Sequence, residues 1–388
     1  MSGRARAFGA VAFVACGLFA AGGCKNPPRP GDPIVGLTPA QKDMFERGRA
    51  VFDSVFTPET GLGPLFNSDA CGECHEDPVS GGAGDEVELH ATRPLENGFC
   101  DPLVDSGGPV FQLQVTPALG EALGIDAEPA PAGAGRAFRS TPDILGFGLL
   151  DAVPDSTLLA LADADDADGD GISGRVARDF SGNIGRFGRK ALVATLLEFS
   201  EGAFPTEQGV TDPAVPDEGT VGGRPMPDGV DPLPEPELDA ESVRLTDAFV
   251  RFLAPPAPKK LSRAGKRGRR IFSQIGCAGC HVPSLRTGAN EVAALAYKDV
   301  RAYTDLLLHD LGPDLADICF GPVATRSEFR TEPLMGLRLS ERFLHDGSAE
   351  SIEDAIAAHG GEGATSRDAF EALSDSDRQA LLEFLGSL

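Results

Sequence analysis

Cys71-Gly72-Glu73-Cys74-His75 and Cys277-Ala278-Gly279-Cys280-His281 are the segments of this sequence best suited to redox chemistry. In Cys-x-x-Cys-His the two thiols lie one helical turn apart on one face, so each can add to one vinyl group of a haem. The His that follows then lies under the iron and supplies its proximal nitrogen. A zinc site would need four ligands converging from close pairs, and these pairs stand far apart in the chain. A thioredoxin-like dithiol needs a βαβ context, which neither motif has. The reading is two covalently bound haem c groups, with His75 and His281 as iron ligands.

Four histidines remain, His90, His309, His345 and His359. A c-type haem that only carries electrons has a second axial His or Met, whereas one that activates a small oxidant leaves that position open. A different chemistry is written in Asp166-Ala-Asp168-Gly-Asp170-Gly171. Alternating carboxylates on a Gly turn suit calcium, a hard cation that takes several oxygens, so Asp166, Asp168 and Asp170 are expected ligands. The loop departs from a full EF-hand, since Ala177 stands where the bidentate Glu belongs, and a solvated acidic turn is the other reading. Lys259, Lys260, Arg263, Lys266, Arg267, Arg269 and Arg270 form the one strong basic run. It is either a solvated helix face or a surface that neutralises haem propionates or docks an acidic redox partner.

The elements that must hold these groups show an internal repeat. Gly48-Arg-Ala-Val-Phe52 precedes the first motif and Gly268-Arg-Arg-Ile-Phe272 the second. Gly and Phe at i and i+4 share a helix face, and in cytochrome c folds such a Gly lets the N-terminal helix cross closely over the C-terminal one. The closing partners are expected at 241–253 and 377–388, where apolar residues recur at helical spacing, with 190–199 as a rival to the former. Thr38-Pro39 opens the first helix as N-cap and N1. Residues 76–140, rich in Gly and Pro, read as irregular structure, and the acidic, Pro-rich 205–240 as a long surface loop. The expected fold class is all-α and loop-rich, two cytochrome c-like haem domains in tandem, at 37–255 and 256–388.

The chain has 388 residues, 41% hydrophobic and 24% charged, which permits a packed core. It contains no Trp and two Tyr, so Phe must carry the aromatic packing. A net charge of −25 excludes nucleic acid as a partner. Residues 1–24 read as a lipoprotein or secretory signal: Arg4 and Arg6, a short apolar run, then small residues before Cys24. Residues 25–36 are then a tether, and the membrane is reached only through a lipid on Cys24. This places the protein outside the cytoplasm, in the periplasm or at the outer membrane or cell surface. Cys16 leaves with the signal, so Cys100 and Cys319 are spare, and an oxidising compartment predicts a disulfide between them.

Beyond this the sequence resembles a known family. Thr141-Pro-Asp-Ile-Leu-Gly-Phe-Gly-Leu-Leu-Asp-Ala-Val-Pro154, Asp168-Gly-Asp-Gly-Ile-Ser-Gly-Arg175 and Gly185-Arg-Phe-Gly-Arg-Lys-Ala191 look like the di-haem oxidoreductases described as peroxidases. So do Tyr303-Thr-Asp-Leu-Leu-Leu-His-Asp-Leu-Gly312, Arg330-Thr-Glu-Pro-Leu-Met-Gly-Leu337, and His345-Asp-Gly347 with His359-Gly-Gly361. That family is similar in turn to bacterial di-haem cytochrome c peroxidases and to MauG. The resemblance implies His359, fourteen residues after His345, as second ligand of the second haem, and His345 as a residue on its propionate side. It implies His90 as the switchable distal His of a peroxide-reactive first haem, with Gln112 as the nearest match to a distal acid–base residue. Relatives place a Trp between the haems, and this chain has none; Arg189 and Met335 stand where family members show Trp. The implied activity is peroxide reduction, the second haem passing electrons to the first. The donor would be a small c-type cytochrome or a cupredoxin, and the substrate hydrogen peroxide or another oxidisable compound. The alternatives are a pure electron-transfer di-haem cytochrome and an oxidase similar to MauG or to rubber oxygenase.

Overall fold

The computed structural model describes residues 27–388, apart from 97–99 and 322. Residues 1–24, the expected signal with Cys24, lie outside the described residues. Thr38 caps the helix Pro39–Phe52, its side chain accepting from Gln41 N while Gln41 Oε1 accepts from Thr38 N at 2.9 Å. The helix Ala240–Phe252, capped by Asp239, crosses it so closely that a Cβ on Gly48 would run into the Leu245 carbonyl. Phe45, Phe52 and Phe249 close this crossing with ring centroids 5.0–5.1 Å apart. The second repeat builds the same device. Helices Arg263–Gln274 and Asp375–Leu385 cross at Gly268, where a Cβ would meet the Ala380 carbonyl. Phe272, Phe384 and Tyr303 pack beside that crossing.

The all-α expectation is corrected: the fold is mixed, 32% helical and 14% strand, with several small sheets. In place of the irregular structure expected over 76–140, strand Val87–Pro94 pairs antiparallel with Gly135–Ser140 over six residues. Val110–Phe111 and Cys100–Asp101 add to the same sheet. Leu89 and Ala91 point inward, the period-2 pattern of a half-buried strand. Further on, Leu308–Asp310 pairs with Glu328–Arg330. The strands are short and their partners lie far along the chain, so tertiary pairing rather than local propensity makes them.

The larger core takes residues from both sides of Pro255, Phe45, Phe249 and Leu150 packing with Leu295, Ala302 and Leu307. Cys100 and Cys319 are joined by a disulfide, Cα–Cα 5.6 Å, as the spare cysteines predict. Among the described residues no helix is long and apolar enough to cross a membrane.

Candidate functional site

Each Cys-x-x-Cys-His sits on a single turn of helix beside its repeat Phe. The His75 ring centroid is 6.0 Å from Phe52 and that of His281 6.4 Å from Phe272. His75 Nδ1 hydrogen-bonds the Gly82 carbonyl at 3.0 Å, and His281 Nδ1 the Tyr303 carbonyl at 3.0 Å. A carbonyl only accepts, so Nδ1 carries the hydrogen and Nε2 keeps its lone pair for a metal. Burial holds both rings neutral: His75 lies below its ordinary pKa, and burial with the nearby His359 pushes His281 down to about 4. Burial also pushes Cys71 and Cys74 up to about 12 and Cys277 to about 11, opposite to what thiolate redox chemistry needs.

The second site is a cavity of about 550 Å³ walled by Cys277, Cys280, His281, His345 and His359, with Met335 beside them. His359 Nδ1 is tied to the Ala355 carbonyl at 2.7 Å, so its Nε2 is also free. The His281 and His359 ring centroids are 6.5 Å apart. That is the span of two metal–nitrogen bonds of about 2 Å plus two ring half-widths. The donor set, two thiols with two imidazoles whose Nδ1 atoms are tied to carbonyls, therefore fits a haem. His345 stacks on Phe329, centroids 4.2 Å apart, and meets Asp317 at 3.2 Å. Burial opposes the charge of Asp317, yet His345, Arg139 and Lys190 hold it well below the usual carboxylate range. Arg189, at one of the positions where relatives carry Trp, pairs with Glu332, which Arg330 also binds.

The first site has a different surround. His90 Nε2 pairs with Glu88 at 3.0 Å, leaving Nδ1 buried without a partner among the described residues. Glu88 and Glu207 lie beside each other, and desolvation with the Glu88 charge holds Glu207 well above its ordinary pKa. Although burial disfavours its charge, Glu88 is kept ionised by His90. Asn67 Nδ2 donates to Glu207 at 2.9 Å, and Gln208 lies 3.7 Å from Cys71 Sγ. Gln112 does not reach this cluster directly. Its Nε2 donates to the Thr206 carbonyl at 3.1 Å, bracing the turn that carries Glu207 and Gln208. Glu88, Glu207 and Gln208 escaped sequence reasoning because segments remote in sequence bring them together.

The acidic loop also differs from expectation. Asp163, Asp166 and Asp168 bring carboxylate oxygens within 4.8 Å of one another, whereas Asp170 instead caps Ile172 N at 2.9 Å. A second acidic group that the sequence did not single out joins Glu218, Asp231, Glu235 and Glu237.

Residues 135–388 match the family described as "Di-haem oxidoreductase, putative peroxidase". The chain belongs to that family. This di-haem oxidoreductase is thus an enzyme with two haem cofactors. The matched span holds the second motif, His345 and His359, and the first motif precedes it. No curated protein matches. Among solved structures the di-haem oxidoreductase is similar to a hydrazine synthase of Kuenenia stuttgartiensis, at 14% identity and TM-score 0.43, covering 100% of each chain. It is similar to a MauG-like protein associated with microbial copper homeostasis, at 16% identity and TM-score 0.40, over 94% of this chain and 93% of the other. It is also similar to the diheme peroxidase BthA of Burkholderia thailandensis, at 15% identity and TM-score 0.45, over 94% and 89%.

Proposed function

We propose that this di-haem oxidoreductase is an exported c-type enzyme that reduces hydrogen peroxide beside Cys71–His75 with electrons taken in beside Cys277–His281. The carrying observation is the asymmetry between the sites: a second imidazole, His359, lies 6.5 Å from His281, ring centre to ring centre, while the carboxyls of Glu88 and Glu207 adjoin the first motif. Haem joined to the four motif cysteines supplies the one-electron couple at each site and, at the first, the iron that binds peroxide. His281 and His359 close both faces of the second site, which suits electron transfer rather than oxidant binding. Glu207, kept protonated, gives its proton to the departing oxygen as the O–O bond breaks, and Glu88 with His90 hands on the next. Two electrons and two protons then convert each peroxide to two waters. Gln112 serves as a positioning residue through Thr206.

The orphaned Nδ1 of His90 favours a second reading. If that ring occupies the first iron permanently, both sites are closed and the protein is a pure electron carrier. Two low-spin irons in every redox state would establish that reading, whereas CO binding by one high-spin haem in the reduced protein supports the peroxidase. Glu207→Gln separates them further. Peroxide turnover is expected to fall about 10²-fold or more with haem absorbance unchanged, and a wild-type rate would remove Glu207 from the mechanism.

Export through residues 1–24 and a lipid on Cys24 place the enzyme in the periplasm or at the outer surface. The Cys100–Cys319 disulfide supports that reading, because such bonds persist in oxidising compartments. Calcium is assigned to Asp163, Asp166 and Asp168, with Asp170 shaping the turn. The electron donor is a small acidic redox protein, a c-type cytochrome or a cupredoxin, that docks on the exposed cations of Arg263–Gln274.

A further inference from the structure

His309 is 3% exposed and sits on the strand Leu308–Asp310, its backbone fixed by pairing with Phe329. It serves neither as an iron ligand nor in the peroxide chemistry above, because both ring nitrogens are taken. Nε2 lies 2.9 Å from Asp305 Oδ2, and Nδ1 lies 2.8 Å from Glu362 Oε2 and 3.4 Å from Cys280 Sγ. A ring nitrogen without hydrogen would turn a lone pair toward a carboxylate lone pair, so both nitrogens must carry hydrogen and the ring is an imidazolium. The carboxylates are themselves satisfied as anions. Asp305 Oδ1 accepts from Leu307 N at 2.9 Å, and Glu362 accepts from Ser173 Oγ at 2.7 Å, Ser173 N at 3.0 Å and Asp310 N at 3.2 Å. Burial alone would lower the pKa of His309, yet its hydrogen bonds to Asp305, Cys280 and Glu362 push it up to about 12. Once Cys280 becomes a thioether its share disappears, and the two carboxylates remain.

The cation therefore lies against the sulfur through which the second cofactor is attached, and both His309 and Glu362 line that cavity. An electron entering the cavity adds negative charge there, and fixed charges in a poorly solvated wall act on it strongly. The geometry points to His309 as a permanent buried cation that raises the reduction potential of the second haem, with Glu362 as its opposing anion. The role rests on the haem proposed at Cys277–His281. It also ties the acidic loop to that haem, because Ser173 directly follows the loop's Ile172 and holds Glu362.

Spectroelectrochemical titration of the intact holoprotein at pH 8 tests this with two variants. His309→Gln removes the positive charge and Glu362→Gln removes a negative one, each keeping most of the volume. The second-haem potential in Glu362→Gln should exceed that in His309→Gln by at least tenfold in the reduction equilibrium, about 59 mV for one electron. A mere packing defect has no reason to shift the two in opposite directions. A smaller gap, or the reverse order, overturns the role of His309. Where His309→Gln does not accumulate, Glu362→Gln against wild type decides: a rise of threefold or more supports the role, and anything less overturns it. A wild-type protein without haem at Cys277–His281 would instead refute the proposed function itself.

Discussion

His359 and His281 each tie Nδ1 to a backbone carbonyl, and this fixes what their loss should do. His359→Ala is expected to turn the second haem from low-spin to high-spin with its absorbance retained, read by resonance Raman. An unchanged spectrum would transfer the ligand role to Met335 or His345. A second residue makes a pH prediction. Glu128 is 5% exposed; its Oε2 accepts from Gln112 N, its Oε1 has no partner among the described residues, and burial lifts its pKa from 4.5 to about 7. Its folded pKa is raised, so the folded protein holds the proton more tightly than the unfolded chain. Stability from this group is full below about pH 4.5 and declines as pH rises through about 7. The whole effect is about 3 kcal/mol at most. Glu128→Gln should flatten the fall of Tm between pH 5 and pH 7, and an unaltered slope would show that other groups set it. At this scale the cysteines and histidines of the two Cys-x-x-Cys-His segments stood out in the sequence, because thiol and imidazole spacing is local. Glu88, Glu207 and the partners of His309 were not, since their meaning lies in who stands opposite, and residues far away in the chain supply that.

The long helices carry their own boundaries. Thr38-Pro39, Asp239 and Ser374 write the caps, and the Gly–Phe repeat marks the crossing faces. The element-scale prediction follows from the second crossing. Gly268→Ala would drive a methyl into the Ala380 carbonyl, a backbone atom with nowhere to move. A loss of roughly 1–3 kcal/mol is expected from such overpacking, with lower haem occupancy in the same preparation. A Tm equal to wild type would mean the helices slide freely at that point. Strands such as Val87–Pro94 were not legible. Their alternation spans few residues, Gly and Pro crowd both flanks, and the register with Gly135–Ser140 comes from tertiary pairing. The short helix Leu196–Ala203 was only grazed by the rival segment 190–199, because its capping box, Thr195 with Glu198, starts it later.

Across the whole molecule charge is distributed unevenly. A chain of net −25 exposes Lys259, Lys260, Arg263, Lys266, Arg269 and Arg270 together, and among the described residues none of the six forms an ion pair. Association with an acidic donor should therefore slow as ionic strength rises. Stopped-flow reduction in 20 and 200 mM salt should show at least a several-fold drop in second-order rate, and Lys266→Glu with Arg270→Glu should lower the low-salt rate to a similar level. Rates indifferent to salt would leave the basic face a solvated surface. The Cys100–Cys319 bond spans 219 positions and bridges the connection between helices Ala240–Phe252 and Arg263–Gln274. A protease that nicked the chain within that connection would release nothing: the fragments would migrate as one species until a reductant was added, and even then the common core of Phe45, Phe249, Leu295 and Leu307 would keep them together.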